Sequence, residues 1–220
     1  MPRPGPSAGA DAVALPTTER GRRMRARLLA AAREVFERDG FLDARVTDIS
    51  AAAGAAHGSF YTYFGSKTAV FRALVAETMD DLYASLGTGG EPGPPDGHPA
   101  AVALHRIDAA NRRFVAVYRE NTALMALFEQ VTTFDPEVRA LRRAARERNA
   151  GRVRHSIEQL QRDGLVPADL DAEYAAHALV AMVNGVVHYW LVLDGGFEQE
   201  RLVGTLTRLW AQALGLPARG

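Results

Sequence analysis

The stretch that decides the fold covers residues 46–67 and reads VTDISAAAGAAHGSFYTYFGSK. Apolar residues in its first part recur at helical spacing, which predicts a short helix with Val46, Ile49 and Ala53 facing inward. Gly54 then permits a sharp turn, because glycine lacks a Cβ. A second short helix is predicted after the turn, with Phe60 and Phe64 inward. Two short helices joined in this way form a helix-turn-helix, whose second helix can enter the major groove of DNA.

The outward side chains of the second helix are all able to form hydrogen bonds. They are His57, Ser59, Tyr61, Thr62 and Tyr63. A purely structural helix would not require so many polar groups on so short an element, which favours contacts to phosphates and base edges. A tyrosine pair on an aromatic-rich helix is equally typical of a core, so the residues alone leave both interpretations open.

A wider pattern of residues surrounds this segment at regular distances. It consists of Gly40-Phe41, Val46, Asp48-Ile49, Ala53-Gly54, Gly58-Ser59-Phe60-Tyr61, Tyr63-Phe64 and Ser66-Lys67. In these residues and their spacing the chain resembles the TetR family of bacterial transcriptional regulators, over residues 18 to about 78. The resemblance implies a three-helix DNA-binding domain with the helix-turn-helix, followed by a helical domain that binds an effector and dimerises.

The resemblance also implies roles for single residues. Tyr61 and Tyr63 match family positions that contact phosphates or thymine methyl groups, and Lys67 matches a phosphate-binding lysine at the start of helix 4. Lys67 could instead be an ordinary solvated lysine at a helix terminus. The full set of expected DNA-binding residues is Arg45, Thr47, His57, Gly58, Ser59, Tyr61, Thr62, Tyr63 and Lys67.

Two residues depart from the family pattern. Arg45 and Ala56 stand where the family favours Ser or Thr. Neither side chain can cap a helix as a hydroxyl does, so we expect helices 2 and 3 to begin without their usual side-chain caps, or with the cap moved to a neighbour.

The net charge of the 220 residues is zero, but the charge is unevenly distributed. Residues 20–33 contain six arginines and no acid, at positions 20, 22, 23, 25, 27 and 33. This run concentrates positive potential near the N-terminus, although a solvated helix face would have the same composition.

Elsewhere, apolar residues recur at intervals of three and four, so we predict an all-α chain of about nine helices. Helix 1 should stop at Gly40, a later helix should begin at Asp135-Pro136-Glu137 and end at Gly164, and apolar helices should cover residues 169–194 and 198–214. The predicted organisation is a disordered arm (1–16), a DNA-binding domain (17–66) and an effector-binding and dimerisation domain (67–220). Residues 87–99, of which nine are Gly or Pro, should form a flexible loop.

The C-terminal region contains candidate residues for an effector pocket. They are Asn111, Phe114, Tyr118, Met125, Phe128, His177, Asn184, His188 and Trp190. Such a pocket would suit an apolar or aromatic small molecule, although aromatic residues at helical spacing are more often part of a core. His177, Asn184 and His188 share one face of their helix and need partners, in a pocket, in the core or in a dimer interface.

Other classes of protein are disfavoured. The chain lacks cysteine, a signal-like segment and any apolar run near the length of a membrane span, so we expect a cytoplasmic protein that does not cross a membrane. We find no phosphate-binding glycine loop, no metal-ligand spacing, no cofactor motif and no nucleophile set beside a base, which argues against an enzyme. Neutral charge argues against a nucleoid-type protein that coats DNA. The sequence thus predicts a homodimer that forms through the two C-terminal helices. It predicts a repressor that a small apolar or aromatic molecule releases from a palindromic operator; an activator or a ligand-independent DNA-binding protein is the alternative.

Overall fold

The computed structural model describes residues 13–84 and 97–216, and within these ranges the chain forms nine helices and no strand. The helices are α1 (Glu19–Asp43), α2 (Val46–Ala52), α3 (His57–Phe60), α4 (Lys67–Ala84), α5 (Pro99–Glu120), α6 (Thr122–Thr132), α7 (Pro136–Arg162), α8 (Ala172–Val192) and α9 (Gln199–Ala213). The all-α prediction is therefore confirmed for the described residues. Residues 1–12 of the expected arm and 85–96, which include most of the expected loop, lie outside them.

The chain divides into two compact units. The first consists of Met1–Thr78 together with Ala126–Arg139, and the second of Met79–Met125 together with Ala140–Gly220. This division differs from the expected boundary at residue 67. The first unit includes the first part of α4 and also a later segment, in which α6 ends and α7 begins.

The core of the first unit is built on the apolar face of α1. Leu28, Val35 and Phe36 on this helix are fully buried. The ring of Phe36 packs against the rings of Phe41 and Phe71, with centroids 5.7 and 5.2 Å away. These contacts join the end of α1 to the first turns of α4.

The end of α1 contains the expected glycine. Gly40 has φ 76° and ψ 171°, and the backbone N–H of Ala44 donates to its carbonyl oxygen. The positive φ confirms the predicted break, although this ψ is extended rather than left-handed helical. The chain resumes one further turn after Gly40, which places Phe41 in the core.

The second unit is built from helices with well-defined ends. The carboxylates of Asp171 and Glu198 accept hydrogen bonds from backbone N–H groups in the first turns of α8 and α9. At the end of α7, Gly164 has a φ of 70°, and the N–H of Leu165 donates to the carbonyl of Leu160. This is the predicted glycine-terminated helix end. Within the unit α5 contacts both α8 and α9.

Helix α8 is unusually apolar. By length and composition alone it could cross a membrane, with a mean hydropathy of 1.4 over its most apolar 18 residues, of which only 28% is buried. A core or interface helix of a protein outside membranes meets the same criterion, so this is weak evidence for a span.

The backbone at Gly40 leads to a test of stability. Its φ and ψ lie in a region that is essentially restricted to glycine, so we expect Gly40→Ala to destabilise the protein by about 1–3 kcal/mol and to lower the thermal midpoint by several degrees. Gly151→Ala is the matched control, because Gly151 is exposed within α7 and no atom lies within 4 Å of the added Cβ. It should raise the midpoint slightly. An unchanged midpoint for Gly40→Ala would contradict the assigned backbone geometry.

Candidate DNA-binding site

Helices α2 and α3 meet at a tight turn within the first unit. Ile49 on α2 and Phe60 on α3 are fully buried, and their packing fixes the angle between two short helices that could not be stable alone. Gly54 in the turn has a φ of 59°, and the N–H of Ala55 donates to the carbonyl of Ser50 at 2.9 Å. The predicted helix-turn-helix is thus present in the described structure.

Arg27 on α1 holds this turn from outside. Its Nη2 donates to the carbonyl oxygens of Ala53 and Gly54, the second at 3.4 Å. These carbonyls end α2 and have no partner within the helix. The sequence does not indicate this role, since Arg27 differs in no visible way from the five other arginines of its run.

The outward face of α3 is polar and accessible. His57, Tyr61 and Thr62 are exposed, while Ser59 and Tyr63 are partly buried. The rings of His57 and Tyr61 contact each other edge to face at a centroid distance of 5.5 Å. Helix α3 is a single turn of helix, and hydrogen-bonded turns continue it as far as Phe64. These side chains therefore lie on a short element.

The two departures from the family pattern have the expected structural effect. Arg45 and Ala56 occupy the positions before α2 and α3, and neither makes a side-chain capping hydrogen bond. Arg45 and Thr47 are both exposed at the start of α2, where the hydroxyl of Thr47 lies 3.4 Å from Asp48 Oδ1. Their side chains are therefore accessible to DNA, and contact with phosphates stays a prediction.

Lys67 has a structural role that the sequence did not indicate. Its ammonium group donates to the carbonyl oxygens of Phe41, Leu42 and Ala44 at 2.7, 2.9 and 2.9 Å. The same Nζ lies 4.9 Å from the centroid of the Phe41 ring. All three ammonium hydrogens thus have acceptors within the protein, so a phosphate contact would have to replace or share one of them.

The surroundings of Lys67 affect its charge. Burial lowers the pKa of its ammonium group, and the nearby Asp43 carboxylate opposes this shift. Ser66 before it accepts a hydrogen bond from the N–H of Ala69 at 3.0 Å and so caps the start of α4. The cation and the first free N–H groups of α4 therefore lie at the same helix end.

Four of the expected pocket residues are buried in the units to which they belong. They are Phe114, Tyr118 and Met125 in the second unit and Phe128 in the first. Asn111 is also buried, and its Nδ2 donates to Thr207 Oγ1 on α9 at 3.2 Å. This contact assigns Asn111 a structural role between α5 and α9.

The polar residues predicted to share one face of α8 have separate partners. His188 Nδ1 lies 3.0 Å from the Tyr118 hydroxyl, Asn184 donates to the carbonyl of Val180, and His177 Nε2 lies 3.6 Å from a Glu147 carboxylate oxygen on α7. Of the proposed pocket residues, the structure therefore brings Tyr118 and His188 together and leaves His177 at an exposed contact with Glu147.

A second contact follows the Tyr118–His188 pair along the same two helices. The Arg119 guanidinium lies 4.9 Å from the centroid of the Trp190 ring. We refer to Tyr118, Arg119, His188 and Trp190 as the α5–α8 seam. Among the described residues, no group of three or more His, Asp or Glu side chains is placed to hold a metal ion.

Two family models match the chain, one in each part. Residues 28–74 match the model for bacterial regulatory proteins of the tetR family, and residues 108–215 match the C-terminal model of BetI-type transcriptional repressors. The first match contains the whole helix-turn-helix, and the second contains the α5–α8 seam.

Individual relatives agree with these matches. The chain is 28% identical to the HTH-type transcriptional regulator TtgR of Pseudomonas putida, over 83% of this chain and 87% of that protein. It is 24% identical to the HTH-type transcriptional repressor BepR of Brucella suis, over 78% of this chain and 82% of that protein. Both relatives are regulators rather than enzymes.

A solved structure supports the fold. The transcriptional regulator FadR of Bacillus subtilis, in complex with stearoyl-CoA, superposes with a TM-score of 0.69 at 17% identity, over 86% of this chain and 98% of that chain. The helix-turn-helix geometry, the two family matches and these relatives together show that the chain belongs to the TetR family of bacterial transcriptional regulators.

Proposed function

We propose that the protein is a cytoplasmic homodimeric repressor that binds a palindromic DNA operator and is released from it by a small apolar or aromatic molecule. The observation that carries this proposal is the helix-turn-helix itself, whose second helix presents His57, Tyr61 and Thr62 to solvent while Phe60 anchors it from below. In this arrangement α3 would lie in the major groove, and Arg45 and Lys67 would meet the flanking phosphates.

The exposed face of α8 supports dimerisation. Tyr174, Ala178, Ala181, Gly185 and Tyr189 are all exposed and recur at intervals of three and four along one side of the helix. The tyrosines at the two ends are 77% and 50% exposed. The small residues between them would allow close approach of a second helix, and α9, which contacts α8, also has exposed residues, Gly204 and Leu209 among them.

The α5–α8 seam supports an effector site. It combines the ring of Trp190 with hydrogen-bonding groups on Tyr118 and His188, which is the chemistry expected to bind an aromatic molecule with one polar group. A ligand that enters the seam would replace the contacts between α5 and α8. Effector and operator would then favour different states of one dimer, which is the requirement for release.

The experiment that tests the proposal is selection from random duplex DNA at near-physiological salt, followed by sequencing. We expect enrichment of a palindrome whose half-sites are separated by about 10–10.5 base pairs or a multiple of this. Compounds are then tested for release of the labelled operator, with stearoyl-CoA, the molecule bound in the FadR structure, as one probe. Weak, salt-sensitive retention without an enriched sequence would contradict the proposal.

Two substitutions should separate DNA contact from structural support. Tyr61→Phe removes only a hydroxyl, so we expect about tenfold weaker operator binding, as for loss of one hydrogen bond to a charged group, with an unchanged thermal midpoint. Lys67→Met should weaken binding and also lower the midpoint by several degrees, because three carbonyls lose their donor. A Lys67→Met protein with wild-type stability would show that these hydrogen bonds contribute little.

The proposed dimer interface is tested by adding a charge at its centre. Apart from neighbouring residues and the backbone of α8 itself, no described atom lies within 4 Å of a Cβ added at Gly185, so Gly185→Arg should fold and yet prevent a second α8 from approaching. We expect light scattering to report a monomer and operator affinity to fall sharply. Gly151→Arg on α7 has the same free space and should stay dimeric. A dimeric Gly185→Arg protein would place the interface elsewhere.

A further inference from the structure

The arginine run of residues 20–33 is divided by the structure into two groups. The first group, Arg25, Arg27 and Arg33, forms contacts within the first unit. Arg25 donates to Glu77 at 2.8 Å and lies over the Phe64 ring, Arg27 holds the helix-turn-helix turn, and Arg33 donates to Thr78 at 2.9 Å. These three guanidinium groups account for the inner part of the run.

The other group lies at the start of α1 and, among the described residues, contacts only its own helix and the residues just before it. Arg20 is exposed and has no ionic partner within the described ranges, and the Arg23 guanidinium lies 3.5 Å from a Glu19 carboxylate oxygen with both side chains more than 70% exposed. Such a pair contributes little to stability. The Arg22 guanidinium donates to the backbone carbonyl of Thr17, which lies just before the start of α1. Among the described residues, Arg20 and Arg23 therefore have no buried partner and no partner on another helix.

The helical period places these two arginines beside the helix-turn-helix. At about 100° per residue, Arg20, Arg23 and Arg27 fall within roughly 60° of one another on α1. Arg27 touches the carbonyls of Ala53 and Gly54 in the turn, so its face of α1 is the face beside the turn. With a rise of about 1.5 Å per residue, Arg23 and Arg20 follow at about 6 and 10 Å along the helix axis.

The turn leads directly into α3, whose N-terminal end is the part of a helix-turn-helix that enters the major groove. The walls of that groove are phosphate backbones, and a guanidinium group binds phosphate through two parallel hydrogen bonds. Glu19, whose carboxylate pairs with Arg23, and Glu34 are the acids nearest in sequence to this face, and both are exposed, so neither holds an arginine as a buried partner would.

We propose that Arg20 and Arg23 form a second DNA-binding surface, which binds backbone phosphates of the same duplex that α3 reads. The inference rests on the proposed function and extends the contact from the helix-turn-helix along α1. Its contribution is independent of base sequence, because phosphates carry no sequence information.

The test compares the double variant Arg20→Gln, Arg23→Gln with the wild-type protein on the selected operator and on a random duplex, over a series of salt concentrations. Four arginines are lost per dimer, so we expect the slope of log K against log salt to flatten by about 2 to 4, at about 0.9 per phosphate contact. Affinity near physiological salt should fall at least tenfold and by the same factor on both duplexes.

The matched control is the double variant Arg143→Gln, Arg146→Gln on α7, whose exposed arginines have the same spacing and carry the same charge. It should keep the wild-type slope and affinity, and both double variants should keep the wild-type thermal midpoint. If the wild-type protein binds the operator and the Arg20, Arg23 variant has an unchanged slope, or one no flatter than the control, this inference is wrong and the proposed function stands. If the wild-type protein binds no DNA, both are overturned.

Discussion

The DNA-binding unit depends on one cation at a junction of helices. The Lys67 ammonium group donates to the carbonyls of Phe41, Leu42 and Ala44 at the end of α1, and its Nζ lies over the Phe41 ring. Those carbonyls belong to the last turn of a helix and would otherwise be unsatisfied. Helix α2 begins at Val46, two residues after the last of them, so the position of the helix-turn-helix follows from this contact.

The same junction joins three separate parts of the chain. The Phe41 ring contacts Phe71 of α4 at 4.9 Å and Phe134, in the connection between α6 and α7, at 6.0 Å. Arg72 of α4 forms an ion pair with Glu137 in the first turn of α7. Helices α4, α6 and α7 each contain residues of both units. A change in the second unit is therefore connected along these helices to the residues that hold the helix-turn-helix.

Much of this arrangement could be predicted from the sequence, because local signals specify it. The glycines at 40, 54 and 164 adopt positive φ where the pattern required a turn, and Asp135 caps α7 by accepting hydrogen bonds from the N–H groups of Glu137 and Val138.

The roles of Arg27 and Lys67 were not predictable, since each donates to carbonyls 23 to 27 residues away that no sequence pattern reveals. Residues 126–139 belong to the first unit through tertiary contacts, which the sequence does not reveal either. The expected pocket was the least predictable part, because the same aromatic spacing serves a core.

A structure of the protein bound to its selected duplex is the most direct test of DNA reading by α3. We expect a two-fold dimer with one α3 in each of two major grooves about 34–36 Å apart, and with His57, Ser59 or Tyr61 within hydrogen-bonding distance of base edges or phosphates. A complex in which the duplex lies on another surface, with α3 facing solvent, would contradict the central claim that this helix-turn-helix reads DNA.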